Sequence, residues 1–309
     1  MKLSIDFAFE GFRIVRQKPQ VVLAWGVISL IGNGLALYAL MAMAGPAFQD
    51  LMKMQGSAAA TQDPQAVLAV FAKLLPAYGV MILVAVIMGA IITCAVFRCV
   101  LESGKGGFGY LALGGDEIRQ ILLSIVNIFL IVGLELAALL AAGIIGGLIG
   151  LVLSMLAKPL AAIGFVVGFV IFIWFFCWGL LRLSLNSAQS FAEKKFNAFG
   201  SVSLTQGHAF TLLGGYIITG IMALLVYGAC MIIFMAIAAG FSHGNVAALS
   251  IFDQTKMMTP DGMKNPLVIA YFVVMYLLVT PLMMALTYGA PAAAYNMLRG
   301  HTTQVQNVF

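Results

Sequence analysis

The chain has 309 residues, of which 62% are hydrophobic and only 9% are charged, and its formal net charge is +5. A soluble domain carries roughly 25% charged residues, so this composition excludes a protein whose surface faces mainly water. Because apolar runs recur along the whole length, it also excludes a separate soluble domain of useful size. In a membrane protein the placement of basic residues matters more than their sum, and we expect no nucleic-acid partner.

The first segment, residues 1–18, predicts an amphipathic helix that lies in the membrane interface. Its polar residues recur at helical spacing and are Asp6, Glu10, Arg13 and Gln17. The opposite face is apolar and consists of Ile5, Ala8, Phe9, Phe12 and Val15. The apolar run that follows, residues 21–44, exceeds the roughly 7–15 residues of a signal-peptide core. We therefore expect it to be a retained first transmembrane helix.

Six transmembrane spans are predicted, which gives an all-α polytopic membrane helix bundle made of a single membrane domain, residues 1–309. The spans cover about residues 20–44, 76–101, 118–145, 159–183, 208–240 and 266–298. Several exceed the ~20 residues that cross a bilayer, so we expect tilt or extension beyond it. A separate outer-face helix is predicted over residues 63–75, with Asp63 as its N-cap, Pro64 at its first position and Pro76 as its end.

The basic residues are distributed unequally between the two predicted sides. With the N-terminus inside, the cytoplasmic side holds eleven of the 16 basic residues and all six arginines, and the other side holds five. The positive-inside rule therefore predicts that both termini are cytoplasmic (N-in/C-in). Spans two, four and six each leave the membrane at an arginine, namely Arg98, Arg182 and Arg299. This polarity favours three helical hairpins in series.

The glycine-rich segment 104–120, GKGGFGYLALGGDEIRQ, does not fit a phosphate-binding loop. A Walker loop needs Ser or Thr after its lysine, and Gly106 follows Lys105. Asp116 and Glu117 instead suit the first turn of span three, where acidic groups meet the positive end of the helix dipole. We predict a hinge followed by a helix start. By the same reasoning, Ser203 and Gln206 predict a capping box for span five.

Glu135 is the most informative residue of span three, because apolar residues flank it for more than a turn on each side. A charge in mid-membrane costs at least ~3 kcal/mol on insertion scales, so it needs a partner, water or a proton. Asn127 lies eight residues earlier, on roughly the same face. One interpretation is a neutral or paired glutamate that bonds to another span, where the polar candidates are Asn33, Thr93, Thr219 and Thr280. The alternatives are a residue that lines a lipid or solute pathway, and a proton-transfer group.

Small residues recur at steps of four and predict that spans three and four pack closely. The glycines concerned are Gly146 and Gly150, directly after span three, and Gly164 and Gly168 in span four. A set of basic residues lies at the predicted cytoplasmic edge of the membrane, and these residues are candidate contacts for anionic lipids. This set consists of Arg98, Arg182, Lys194, Lys195 and Arg299.

No catalytic Ser-His-Asp set, carboxylate pair, zinc signature or cofactor motif is found in the sequence, so we expect a protein without catalysis, metal or cofactor. Two functional classes remain open. One is a membrane-organising or accessory protein of the bacterial inner membrane that binds lipid or other membrane proteins. The other is a small transporter or channel-like protein with a polar path near Glu135.

The stretch LLRLSLNSAQSFAEKKFNAFGSVSLTQGHAFTLLGGYII resembles a group of bacterial six-span proteins. These are the YciC-like proteins and the membrane domain attached to some glycerophosphodiester phosphodiesterases. The shared pattern is an arginine at the end of span four, an interfacial stretch, a serine-containing turn and span five. The resemblance implies a six-helix inner-membrane bundle. It carries no catalytic residue over, because the phosphodiesterase domain is not in this sequence.

Overall fold

The computed structural model describes residues 3–55, 64–102, 107–242, 250–257 and 259–306, and these ranges contain helices and no β-strand. Six helical segments are long and apolar enough to cross a membrane. They are Pro19–Ala47, Leu68–Leu101, Phe108–Leu156, Lys158–Glu193, Ala209–Phe241 and Pro266–Arg299. For the described residues, the predicted all-α class with six spans is therefore confirmed, and the chain is a multi-pass membrane protein.

The long helices are α2 (Pro19–Gln55), α3 (Pro64–Leu101), α4 (Gly115–Leu156), α5 (Ala161–Leu183), α8 (Ala209–Phe241) and α12 (Thr280–Gln306). The shorter ones are α1 (Glu10–Gln17), α6 (Asn186–Glu193), α7 (Ser201–Leu204), α9 (Gln254–Met257), α10 (Pro260–Met263) and α11 (Pro266–Val274). With 42 residues, α4 is about 63 Å long at ~1.5 Å per residue. That length is about twice the hydrocarbon thickness of a bilayer.

The described residues fall into two compact units. The first comprises residues 3–8, 113–218 and 290–306, and the second comprises the described parts of 9–112 and 219–289. In the first unit α4 packs along α5, and in the second unit α2 packs along α3. The single membrane domain over residues 1–309 stays a prediction.

The N-terminal segment is helical, and its buried face agrees only in part with the predicted one. A 3-10 turn of five residues precedes α1. Of the predicted apolar face, Ala8 is buried and Phe12 and Val15 are half-buried, whereas Ile5 and Phe9 are exposed. Phe7, Gly11 and Ile14, which were not assigned to that face, are also buried. The cause is the tighter turn, which advances ~120° per residue instead of ~100° and so rotates the first residues relative to α1.

Pro76 lies inside α3 and does not end it, so the predicted separate helix before span two is wrong. Its predicted N-cap, Asp63, lies outside the described residues. Proline removes the hydrogen bond to the carbonyl four residues earlier. The turns on both sides are nevertheless held, because Leu74 and Ala77 are buried against α2. Membrane helices tolerate proline where neighbouring helices support the chain.

The segment before α4 starts that helix as predicted. Asp116 and Glu117 occupy the first turn. The Glu117 carboxylate accepts a hydrogen bond from the Gly114 N–H at 2.9 Å. Span five begins differently: Ser203 lies within α7 and its hydroxyl donates to the Gly200 carbonyl at 2.9 Å. The predicted capping box is therefore wrong, and span five starts at Ala209.

The loop after α3 is held by three side chains of the second unit. The Trp25 indole donates to the Gly109 carbonyl at 2.7 Å, and the Lys18 ammonium donates to the Tyr110 hydroxyl at 2.7 Å. The Arg98 guanidinium donates to the Tyr110 carbonyl at 3.2 Å. Gly109 and Tyr110 both have positive φ, 65° and 55°. Burial acts to lower the pKa of Lys18, but its contacts with Tyr110 and Cys99 raise that pKa above its ordinary value.

Span six is interrupted by a π turn at Met275–Val279, between α11 and α12. Pro281 has no N–H to donate to the Leu277 carbonyl four residues earlier, which explains why the α-helical pattern fails here. The Thr280 N–H and hydroxyl both bond to the Met275 carbonyl instead. The Leu277 carbonyl contacts α2 at Gly26, where a Cβ atom would collide with it. Glycine at this position is therefore required by the close approach.

We expect Gly26→Val to lower the free energy of unfolding by about 1–3 kcal/mol, because the new side chain would overpack the π turn. Gly34→Val is the matched control, since a Cβ atom at Gly34 in the same helix meets nothing within 4 Å. Thermal unfolding in mild detergent would compare the two variants with the parent chain. An equal loss of stability in both variants would show that the close approach of Leu277 to Gly26 does not require glycine.

Candidate functional site

The four predicted packing glycines lie at the crossing of α4 and α5. A Cβ atom at Gly146 would lie 2.6 Å from the Gly164 carbonyl oxygen, and one at Gly168 would lie 2.9 Å from the Ala142 carbonyl oxygen. A Cβ atom at Gly150 would lie 3.1 Å from the Ala161 carbonyl oxygen. The two backbones therefore touch, which is how small residues join helices in lipid.

A groove of about 560 Å³ runs along this crossing. Its floor is formed by the glycines at the crossing, and its walls are almost entirely apolar. The walls include Leu139, Gly143 and Gly147 from α4 and Phe165, Phe169 and Phe172 from α5. No role was assigned to these three phenylalanines from the sequence. Their position beside a glycine-floored groove depends on the register of α5 against α4, which no pattern within one helix reveals.

Glu135 is exposed, and in the described part of the chain its carboxylate has no hydrogen-bond or ion-pair partner. Two of the four polar candidates bond elsewhere, since Asn33 donates to the Ser29 carbonyl and Thr280 donates to the Met275 carbonyl. The other two, Thr93 and Thr219, are buried. The neighbouring Leu134 packs against Gly179 of α5. This contact places Glu135 level with the end of α5, close to Arg182 along the axis.

Asn127 does not share the environment of Glu135. Its side-chain amide pairs with that of Asn186, with nitrogen–oxygen distances of 2.7 and 3.4 Å in the two directions. Gln120, two turns earlier on α4, bonds to Ser187. Eight residues advance an α-helix by about 80° beyond two full turns. Asn127 can therefore face α6 while Glu135 faces outward.

The predicted lipid-contact residues differ in their exposure. Arg98 is only 9% exposed and is bonded to the Tyr110 carbonyl. The Arg182 guanidinium donates to the Thr205 hydroxyl at 3.3 Å and stacks over the Trp178 ring at 5.3 Å. Arg299 is exposed. A lipid headgroup therefore has more access to Arg299 than to Arg98.

The two lysines after α6 differ in their contacts. The Lys194 ammonium lies 2.7 Å from the Asp116 carboxylate, which Arg119 also contacts at 3.0 Å. Lys195 is exposed, and among the described residues its ammonium has no ion-pair partner. The aromatic rings that follow, Phe196 and Phe199, are 51% and 62% exposed. A cation and two exposed rings therefore occur close together in the chain, and we call Lys195, Phe196 and Phe199 the basic–aromatic patch.

A second cavity, of about 310 Å³, lies beside the π turn and is lined partly by Met275, Thr280, Met283 and Tyr288. It is mostly apolar, and the Thr280 hydroxyl already donates to a backbone carbonyl. Within the described ranges, no cluster of three or more His, Cys, Asp or Glu side chains could hold a metal ion.

No family model matches the chain, and no curated protein or solved structure gives a match. The resemblance to YciC-like proteins and to the phosphodiesterase membrane domain therefore stays an expectation. A function can therefore be proposed only from the arrangement of the side chains.

We expect Gly146→Leu to lower the melting temperature and yield of the purified chain, because the side chain would collide with the α5 backbone and separate the two helices. Leu148→Ala is the control on the same helix. Leu148 is 61% exposed, so its truncation should change stability by less than about 0.5 kcal/mol. Equal tolerance of both changes would contradict the close packing of α4 on α5.

Proposed function

We propose that the chain is a non-catalytic protein of the bacterial inner membrane that acts as a membrane-organising or accessory protein by binding lipid or other membrane proteins. The observation that carries the proposal is the basic–aromatic patch after α6. Aromatic side chains and lysines are enriched where a protein meets the headgroup region, because each combines an apolar body with a polar end. Exposed cations at that level attract anionic lipids.

Arg182 and Trp178 support the same proposal from the end of α5. The guanidinium stacks over the indole ring while the Ser201 hydroxyl donates to the Arg182 carbonyl at 2.7 Å. The end of the span is thus tied to the turn that contains α7.

In the proposed orientation, both termini are cytoplasmic, the six spans form three hairpins, and Arg182 marks the inner edge of the membrane. The excess of basic residues on that side supports this orientation.

A small transporter or channel-like protein is the second candidate, and one observation favours it. The exposed Glu135 carboxylate offers an acidic contact on an otherwise apolar surface. The pairing of Asn127 with Asn186 instead favours a packing role for these amides, since each amide bonds to the other. We rank lipid binding first because the basic–aromatic patch can bind a lipid without a conformational change.

We expect Lys195→Gln to weaken the binding of phosphatidylglycerol by about fivefold, because one basic residue near an anionic surface contributes about 1 kcal/mol. Lys158→Gln is the control, since Lys158 is also exposed but lies in the short turn between α4 and α5. Native mass spectrometry in a gentle detergent would count the retained lipids. An unchanged lipid count in Lys195→Gln would remove the main support for the proposal.

The orientation can be tested in a chain whose four native cysteines have been replaced. Single cysteines at Lys195 and Arg299 should be shielded from an impermeant thiol reagent in intact cells, whereas cysteines at Lys158 and Lys256 should react. Labelling after cell lysis controls for buried positions. Reaction of the Lys195 position in intact cells would overturn the N-in/C-in arrangement.

A further inference from the structure

The cavity beside the π turn lies within the second unit, between one face of span six and α8. On span six its lining recurs at intervals of three to five residues, through Met275, Thr280, Met283 and Thr287. Such spacing keeps side chains on one side of a helix that contains a π turn. Helix α8 contributes Tyr227. We call this space the π-turn cavity.

Three hydroxyl groups of the lining lack a hydrogen-bond partner. The Thr280 hydroxyl donates to the Met275 carbonyl. In the part of the chain that the structure describes, no hydrogen bond is formed by the hydroxyls of Tyr227, Thr287 and Tyr288. A hydroxyl without a hydrogen bond is costly in an apolar environment. Three such groups around one space indicate an occupant that forms hydrogen bonds with them.

The two tyrosines lie far from the ends of their spans. Tyr227 is 14 residues from the nearer end of α8, which corresponds to about 21 Å. Tyr288 is 11 residues from Arg299, where span six ends, which corresponds to about 16 Å. A span of about 50 Å that is centred on a ~30 Å hydrocarbon core extends past it by ~10 Å at each end. Both tyrosines are therefore within the core, where bulk water does not satisfy their hydroxyls.

We propose that the π-turn cavity binds the headgroup of a lipid-soluble quinone, which is an uncharged ring with two carbonyl oxygens. Tyr227 and Tyr288 donate hydrogen bonds to these oxygens. The inference concerns binding only and involves no electron transfer. It goes beyond the proposed function, because it assigns a ligand to a second place on the chain and does not depend on the basic–aromatic patch.

The polar part of the lining selects an uncharged ligand whose polar atoms are acceptors. None of the described lining residues is charged, so none pairs with an ionic ligand. Each hydroxyl has one O–H to donate. A ligand that arrives through hydrocarbon carries few donors of its own, because each unpaired donor is costly there. Carbonyl oxygens on an apolar ring meet both conditions.

The apolar part of the lining suits a single ring. Met275, Met283 and Met284 line the cavity, and methionine side chains adapt their shape to a ring and pack favourably at its edge. The volume of about 310 Å³ lies at the lower end of the roughly 300–1,000 Å³ of ligand pockets. About ten water molecules would fill the same volume, but the thioethers would offer them only weak hydrogen bonds. Tyr227 and Thr287 are exposed, so a ligand can enter from the surrounding lipid.

The test measures how decylubiquinone quenches the fluorescence of Trp25 in the full chain, held in nanodiscs of neutral lipid. Trp25 is buried in the cluster against which Tyr288 and Met284 pack, so it reports on an occupant of the cavity. The other two tryptophans, Trp174 and Trp178, are exposed and are replaced by phenylalanine. We expect saturable quenching. Quenching that rises in proportion to the quinone concentration, without saturation, would overturn the proposal.

Removing the two phenol hydroxyls tests the hydrogen bonds. Tyr227→Phe and Tyr288→Phe should each weaken the affinity for decylubiquinone about fivefold, as the loss of one neutral hydrogen bond would cause. Both changes keep the ring, so the packing of the helices is retained. Tyr38→Phe is the matched control, because Tyr38 is exposed on α2 and does not line the cavity. The proposal is wrong if both cavity variants bind like the parent chain, or if Tyr38→Phe weakens binding as much as they do.

Two further measurements separate this site from its alternatives. Decylbenzene has a ring and the same tail but no carbonyl oxygen, and at equal concentration it should not relieve the quenching by decylubiquinone. If it does, the cavity accepts any apolar ring and the proposal is overturned. Lys195→Gln should bind the quinone as the parent chain does, whatever its effect on anionic lipid, so the two proposals fail independently. Weaker quinone binding in Lys195→Gln would place the ligand at the basic–aromatic patch and would also overturn the proposal.

Discussion

Close approach between backbones is the interaction on which both units depend. Lipid tails are as apolar as leucine side chains, so burying one more leucine between two membrane helices gives little driving force. Contact must come from packing without gaps, and this requires positions with no side chain. Gly146 and Gly164 provide it in the first unit, and Gly26 provides it in the second. Gly11 does the same for α1, where a Cβ atom would lie 2.5 Å from the Leu286 Cα atom.

Polar side chains provide the second level of order, since an unpaired polar group inside a membrane protein is costly. Asn127 and Asn186 satisfy each other, and the Trp25 indole satisfies a carbonyl of the glycine-rich loop. The exposed Glu135 carboxylate differs from these groups, because among the described residues it has no partner.

Much of the fold could be predicted because hydropathy and helix-start chemistry act locally. The spans follow from apolar length, and the start of α4 follows from Asp116 and Glu117. The errors occur where a distant contact overrides a local preference. Pro76 stays inside a helix because α2 supports the turns around it, and the 3-10 turn before α1 shifts the face that Phe9 was expected to share. The packing role of the four glycines could be predicted from their spacing. The position of Glu135 along α5 could not, because it depends on the Leu134–Gly179 contact between two helices.

The π turn of span six has a consequence for how such a chain can change over generations. A π turn holds one residue more than an α-helical turn, so it behaves like a single-residue insertion that the helix has absorbed. Deleting that residue would restore an α-helical turn and leave the later side chains near their present directions, because the wide turn absorbs the extra residue locally. Ala285 and Gly289 would still face Gly11. The π turn is therefore a place where the length of span six can change by one residue without rebuilding the surface that meets α1.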